Sequence, residues 1–167
     1  MKIFEESGFE FDFSNSITSY KADEPSYDGL NGVDFIVETP DEYLFIEVKN
    51  LDNKRARPEN RTEFLEEMRG NEFFLKMAAK FKDSLLKELA MSHTFHKPVS
   101  CIFLLEYTEF DARQRSRLYE RIDGRIPKFE EKVYNSVESI RFKLHTKEEF
   151  INAYTFNVTE ELGTDDK

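Results

Sequence analysis

Hydrophobic and polar residues alternate most clearly over positions 33–49. Two segments rich in β-branched and aromatic residues, 33–38 and 43–49, flank a turn-forming segment that contains Pro40 and Asp41. Successive side chains of a strand point to opposite faces, so a repeat of two residues is typical of a strand whose two faces differ. The pattern therefore predicts a β-hairpin over 33–49.

The two faces of this predicted hairpin carry different chemistry. One face is wholly apolar and is expected to pack on a core; it carries Val33, Phe35, Val37, Leu44, Ile46 and Val48. The other face mixes apolar with charged residues, namely Asp34, Ile36, Glu38, Tyr43, Phe45, Glu47 and Lys49. Counting back from a turn at 39–42 places Asp34 directly opposite Glu47. Lys49 then lies two residues beyond Glu47 on the same face.

The rest of the chain is typical of alternating helices and strands. The patterns predict a helix or a strand over 3–13, a strand over 16–20, a loop over 23–32, a long helix over 60–90 that Gly70 and Asn71 can interrupt, a strand buried on both faces over 99–107, a helix over 111–122, a strand within 133–144, a helix over 148–154 and a short strand over 155–159. Asn60 and Glu63 resemble a capping box for the long helix. This order predicts one α/β domain over 1–160, with a central mixed sheet flanked by helices, and a polar tail over 161–167.

Charge is distributed unevenly along the 167 residues. The net charge is −10, yet segment 51–128 carries 16 basic and 13 acidic groups and is net positive. Its basic residues cluster at 54–61 and again at 113–125, which is compatible either with mixed solvated surfaces or with a local strip that faces phosphate groups. No apolar run approaches the roughly 18 residues of a membrane helix, and the first residues lack the apolar region of a signal peptide. We therefore expect a cytoplasmic protein without membrane contact.

The predicted opposition of Asp34 and Glu47 suggests a metal site. Like charges directly opposed in a sheet are destabilising, and a divalent cation between them reverses that effect. Mg²⁺ or Mn²⁺ prefers hard oxygen ligands, and the backbone carbonyl of Val48 could add one. Such an ion polarises a phosphate oxygen and activates a water, while Lys49 could orient that water or offset charge in the transition state. The alternative is an ordinary charge cluster on a half-exposed hairpin.

At these residues the chain resembles the PD-(D/E)XK nuclease superfamily. That family's pattern is an acidic residue near the start of one strand, a variable turn, and (D/E)-x-K on the next strand. Asp34 takes the first acidic position, Glu47 the second and Lys49 the lysine position, whereas Val33 replaces the family's proline. The bare tripeptide occurs four times in the chain, and only Glu47–Lys49 ends an apolar strand with a second acid opposite. The resemblance therefore covers roughly residues 33–50.

The resemblance implies a restriction-endonuclease-like fold and a Mg²⁺- or Mn²⁺-dependent nuclease acting on DNA or RNA, with Asp34, Glu47 and Lys49 as catalytic residues. Many members have a further glutamate on a preceding helix, and the candidates here are Glu5, Glu6 and Glu10. Polar residues on the following helix face the site in some members, and the candidates are Lys76 and Lys80. A domain of this size often grips a duplex as a homodimer or within a larger complex.

Two alternatives to a nuclease remain open from the sequence. The net charge and the unassigned upstream glutamate favour an inactive binding or assembly module on the same fold. A weaker option is a toxin- or immunity-type partner whose acidic surface imitates nucleic acid. Other motifs carry little: His93 and His96 have no further clustered ligands, and Cys101 lies in a predicted buried strand.

Overall fold

The computed structural model describes residues 2–23, 29–128, 137 and 139–161. Its strands are β1 (Ile3–Glu6), β2 (Phe9–Asp12), β3 (Thr18–Lys21), β4 (Phe35–Glu38), β5 (Tyr43–Asn50), β6 (Val99–Glu106), β7 (Ile140–His145) and β8 (Asn157–Glu160). Its helices are α1 (Pro58–Glu67), α2 (Glu72–Ala90), α3 (Ala112–Asp123) and α4 (Lys147–Tyr154).

A five-stranded mixed sheet forms the centre of the molecule, in the order β3-β4-β5-β6-β7. Strands β3, β4 and β5 are antiparallel neighbours, whereas β6 is parallel to both β5 and β7. The parallel pairs require crossovers, and α1 with α2 supplies the first and α3 the second. The predicted α/β architecture with a mixed sheet and flanking helices is therefore confirmed.

The two faces of this sheet are covered by different layers, as alternation along the strands predicts. Helices α1, α2 and α3 cover one face, where Ile36, Phe45 and Phe103 are buried. The other face packs against α4 and against a smaller antiparallel sheet in the order β1-β2-β8. Phe35 and Ile46 are buried there. We call these the helix-side core and the strand-side core.

The predicted hairpin is β4 and β5, and its register is confirmed on four rungs. Phe35 pairs with Ile46, and Glu38 pairs with Tyr43 across the turn. The facing of Val33 was predicted wrongly, because this residue is buried in the helix-side core. Val33 precedes β4, and its N–H donates to the hydroxyl of Ser84 on α2 at 2.9 Å, so it does not follow the alternation of the strand.

Several element boundaries differ from the predictions. Segment 3–13 is a pair of strands, because Ser7 and Gly8 adopt positive φ angles and form a tight turn. The long helix is two helices separated at Gly70 and Asn71. The proposed capping box at Asn60 is wrong, since α1 begins at Pro58 with no side-chain cap. Pro is favoured at this first position because its missing N–H has no helical partner there.

The end of the chain also differs in detail from the predicted pattern. Thr155 is the left-handed C-cap of α4 with φ 55°, so the last strand begins later, at Asn157. Glu161 continues the pairing of β8, since its N–H donates to the carbonyl of Gly8 at 3.1 Å. Residues 162–167 of the predicted tail, and most of 133–139, lie outside the described residues. Among the described residues, no helix is long and apolar enough to cross a membrane.

Candidate active site

Asp34 lies immediately before β4, at the end of the hairpin remote from the turn. Its carboxylate oxygen Oδ2 accepts a hydrogen bond from the N–H of Val48 at 2.7 Å, and its backbone carbonyl accepts from Ala22 at 3.0 Å. The ladder ends at the pair of Phe35 with Ile46, and Asp34 lies close enough to Glu47 for the charge of Glu47 to act on it. The structure therefore brings the two acids together, as the register predicts.

Glu47 is a fully buried carboxylate on the helix-side face of β5. Its oxygen Oε1 lies 2.6 Å from the ammonium nitrogen of Lys80 on α2 and 3.7 Å from that of Lys49. Its other oxygen, Oε2, is buried and has no hydrogen-bond partner among the described residues. Buried polar atoms are usually satisfied, and this carboxylate oxygen has the capacity to accept a further hydrogen bond or to bind a cation.

Burial and mutual repulsion disfavour the charged forms of the two acids. Loss of solvent is the largest effect and, with the nearby charges of Glu47 and Glu6, raises the pKa of Asp34 to about 7. The hydrogen bond from Val48 and the charge of Lys80 oppose this rise. Burial also raises the pKa of Glu47, although Lys80 and Lys49 counteract it. Such strongly perturbed carboxyl groups are typical of functional sites.

Glu6 is the upstream acid that lies nearest to the site. It ends β1, and its charge raises the pKa of both Asp34 and Glu47. The hydroxyl of Ser7 donates to Glu6 Oε1 at 3.1 Å, and Lys21 lies 3.7 Å from Oε2. The sequence offered Glu5, Glu6 and Glu10 as candidates, because segment 3–13 could be a helix or a strand. Its folding as two strands selects Glu6, since neighbouring residues in a strand face opposite sides.

The helix α2 contributes Lys80, one of the two lysines that the sequence had proposed. Lys76 is exposed. Lys80 lies on the same side of α2 as the buried residues Met77, Phe81 and Ser84. The period of the buried residues was visible in the sequence, whereas the packing of α2 on the sheet, which places Lys80 beside Glu47, was not.

Lys49 lies at the mouth of the site rather than inside it. Its side chain is 39% exposed, whereas that of Glu47 is fully buried. The backbone carbonyl of Val48, the further ligand suggested by the sequence, is 3.4 Å from the hydroxyl of Ser7. A carbonyl has two lone pairs, so this long contact leaves acceptor capacity. The half-exposed ammonium group of Lys49 therefore lies between the buried carboxylate of Glu47 and the solvent.

The donor set is one that a hard divalent cation favours. Asp34 and Glu47 offer carboxylate oxygens and Val48 a carbonyl oxygen, and Oε2 of Glu47 is buried without a hydrogen-bond partner among the described residues. Within the described part of the chain, no group of three or more His, Cys, Asp or Glu residues is arranged to hold a metal ion. Mg²⁺ and Mn²⁺ commonly keep water ligands and need only one or two carboxylates, so Asp34, Glu47 and the carbonyl of Val48 are the residues that would hold such an ion.

The two histidines and the cysteine noted in the sequence have surroundings of their own. The imidazole of His93 contacts the buried carboxylate of Glu88, and that of His96 lies 3.2 Å from the hydroxyl of Tyr43. The two histidines thus contact different groups. Cys101 is buried, and burial raises its thiol pKa, which disfavours the reactive thiolate.

Comparison of the chain with protein-family models, with curated proteins and with solved structures gave no match. The assignment of function therefore depends on the geometry of the site.

Proposed function

We propose that the chain is a metal-dependent nuclease of the restriction-endonuclease-like class, in which Asp34, Glu47 and Lys49 act on a phosphodiester. The observation that carries this proposal is the buried Oε2 of Glu47, which has no partner among the described residues and belongs to a carboxylate next to a second buried acid. A buried charge needs a partner, and a cation is the one that two adjacent carboxylates both favour.

Each residue of the site has a distinct role in this proposal. Asp34 and Glu47, with the carbonyl of Val48, would hold Mg²⁺ or Mn²⁺. When bound, the ion supplies charge for the phosphate oxygens and lowers the pKa of a coordinated water. Lys49 lies at the solvent side, where its ammonium can contact the scissile phosphate and orient the attacking water. Lys80 neutralises Oε1 of Glu47 and holds that side chain in place.

The arrangement of strands supports the same class. A β-hairpin is followed by a helical crossover and a parallel strand, and the acid pair lies on the hairpin at its junction with that strand. This is the order that the resemblance to the PD-(D/E)XK superfamily implies. The upstream glutamate departs from that pattern, because Glu6 comes from a strand rather than from a helix.

Nucleic acid is the substrate class that the charge distribution supports. Although the whole chain is acidic, several basic side chains in segments 54–61 and 113–125 are exposed and have neither an ion pair nor a hydrogen bond among the described residues. They are Lys54, Arg57, Arg113 and Arg117. Exposed cations of this kind can contact phosphate groups even on a protein whose net charge is negative.

The second candidate function is an inactive binding module, and the contacts of Glu47 favour it. Lys80 and Lys49 both neutralise this acid without any metal. Exposed apolar side chains on and after α2, those of Leu75, Leu86 and Met91, could then contact a partner protein. In this alternative the acid pair and its lysines only stabilise the fold.

A calorimetric titration with Mn²⁺, combined with a cleavage assay on labelled DNA and RNA, separates the two functions. The nuclease is expected to bind Mn²⁺ and to lose binding in Asp34→Ala. In Glu47→Gln, cleavage should fall by more than about 100-fold, beyond the 10–100-fold typical of losing an outer-shell residue. Glu38→Gln is the matched control, since Glu38 pairs with Lys97 at the far end of the hairpin. Equal Mn²⁺ binding by wild type and Asp34→Ala would favour the module.

A further inference from the structure

The hydrogen-bonded ladder between β4 and β5 stops just short of the candidate active site. Its last paired residues are Phe35 and Ile46. At the turn, the N–H of Thr39 donates to the carbonyl three residues further on at 2.9 Å, and hydrogen-bonded pairs recur at every second rung from there. The pair of Phe35 with Ile46 is therefore hydrogen-bonded, and the next such pair in this register is Val33 with Val48.

The two backbone N–H groups of the Val33–Val48 pair donate to side chains instead. That of Val33 donates to the hydroxyl oxygen of Ser84 on α2 at 2.9 Å. That of Val48 donates to Oδ2 of Asp34 at 2.7 Å. In a regular antiparallel pair, each N–H would donate to the carbonyl of the other residue. Both ladder bonds of this pair are therefore replaced by bonds to side chains.

This replacement leaves two oxygen atoms of the site available. The carbonyl of Val48 has lost the ladder donor of Val33, and its contact among the described residues is the hydroxyl of Ser7 at 3.4 Å. The carboxylate of Asp34 is held through Oδ2 alone by the N–H of Val48, so its other oxygen can bind a further group. Both proposed metal ligands thus depend on where the N–H of Val33 donates.

Helix α2 holds the segment before β4 and the acid on β5 from the same side. Ser84 is buried where α2 packs on the sheet. The preceding residue, Asp83, accepts a hydrogen bond from the N–H of Asn31 at 3.0 Å. One turn earlier along the helix, Lys80 lies 2.6 Å from the carboxylate of Glu47. A short stretch of α2 therefore contacts both strands that carry the candidate site.

A buried backbone N–H without an acceptor costs free energy. If the hydroxyl of Ser84 is removed, the acceptor that the ladder offers to the N–H of Val33 is the carbonyl of Val48. We propose that Ser84 is a positioning residue of the active site. By holding the N–H of Val33, it keeps the carbonyl of Val48 and the carboxylate of Asp34 available to a divalent cation. This inference rests on the proposed nuclease function for the identity of that ligand.

The test compares the removal of two buried hydroxyl groups. Ser84→Ala removes the proposed positioning group, and Ser84→Cys nearly keeps the side-chain volume while it offers only a weak acceptor. Ser100→Ala is the matched control: Ser100 is also buried, and its hydroxyl contacts Glu42 at the turn, the other end of the hairpin from Asp34. Thermal unfolding verifies that each variant is folded. The measurements are Mn²⁺ affinity by calorimetry and, in metal-free protein, NMR couplings across hydrogen bonds.

The couplings report the Val33–Val48 pair directly. In wild type, a coupling is expected between the amide nitrogen of Val48 and the carboxyl carbon of Asp34, and none between the amide nitrogen of Val33 and the carbonyl carbon of Val48. The second coupling should appear in Ser84→Ala and Ser84→Cys. Mn²⁺ affinity should fall about tenfold or more in both, the effect typical of losing a residue that orients a metal ligand.

Ser100→Ala should change neither the couplings nor the Mn²⁺ affinity. An unchanged Mn²⁺ affinity in both Ser84 variants, or an equal loss in Ser100→Ala, would overturn the inference. Mn²⁺ binding that depends on Asp34 but not on Ser84 contradicts only the role of Ser84. If the second coupling appears in Ser84→Ala while Asp34→Ala binds Mn²⁺ as wild type does, the role of Ser84 in the ladder is supported and the nuclease assignment fails.

Discussion

The ammonium of Lys80 lies 2.6 Å from Oε1 of Glu47, whereas that of Lys49 lies 3.7 Å from the same oxygen. Lys80 is thus the principal partner of the buried acid, and Lys49 remains directed at the solvent. The residue that completes the hairpin motif and the residue that stabilises the acid are therefore different. This separation of roles gives the first prediction.

Lys80→Met is expected to lower the free energy of unfolding by about 1–3 kcal/mol, because it removes the closest partner of a buried carboxylate. Lys49→Met should change stability by less than about 0.5 kcal/mol, as is usual for exposed positions, while it abolishes cleavage. Urea unfolding measures the first effect and the cleavage assay the second. Lys76→Met, an exposed change on the same helix, is the control. An unaltered stability in Lys80→Met would show that Lys49 alone compensates the charge.

The raised pKa of Asp34 predicts a pH dependence of stability. Between the ordinary value of 3.8 and about 7, the folded chain keeps a proton on Asp34 that the unfolded chain has lost. Without divalent ions, stability should therefore fall as pH rises through this interval and should level off above it. Thermal unfolding in EDTA across this range tests the dependence.

Asp34→Asn should remove most of this dependence, while Glu38→Gln should leave it in place. Mn²⁺ should oppose the fall in wild type, because a bound cation stabilises the ionised acids. A pH profile that is identical in wild type and Asp34→Asn would mean that Asp34 is ionised throughout the range.

Glu6→Gln is expected to lower the pKa of Asp34, since it removes a neighbouring negative charge. The fall in stability should then occur at lower pH than in wild type. A carboxyl-detected NMR titration of Asp34 measures the pKa directly. Glu5→Gln is the matched control, because Glu5 is the preceding, exposed residue of β1. Equal effects of the two substitutions would mean that Glu6 acts only through general charge.

Gly8→Ala should destabilise the protein by about 1–3 kcal/mol, because Gly8 has φ +82° and an added methyl group would lie 2.4 Å from the amide nitrogen of Asn53. The side chain of Asn53 cannot move freely, since its amide oxygen Oδ1 accepts from the N–H of Arg55 at 2.9 Å. Gly29→Ala is the control: Gly29 has φ +84°, and none of the described residues lies within 4 Å of the added methyl group. Chemical denaturation should give a larger loss for Gly8→Ala than for Gly29→Ala. A smaller loss would show that the turn adapts.

The sequence alone determined the features that depend on local pattern. Alternation of apolar and polar residues defined the hairpin and its register, because a shift of one residue would turn the whole apolar face to solvent. The same pattern brought Asp34 and Glu47 together and placed Lys49 beside them. The segment lacking a clear period, 3–13, stayed undecided between helix and strand, and its outcome depended on a turn at Ser7 and Gly8.

Only the tertiary structure decided which distant groups join the hairpin. Glu6 reaches the acids because the small sheet packs on the strand-side core, and Lys80 reaches Glu47 because α2 packs on the helix-side core. Side-chain alternation is fixed within a strand by covalent geometry, whereas contacts between elements depend on packing of whole layers, which no single segment of sequence specifies.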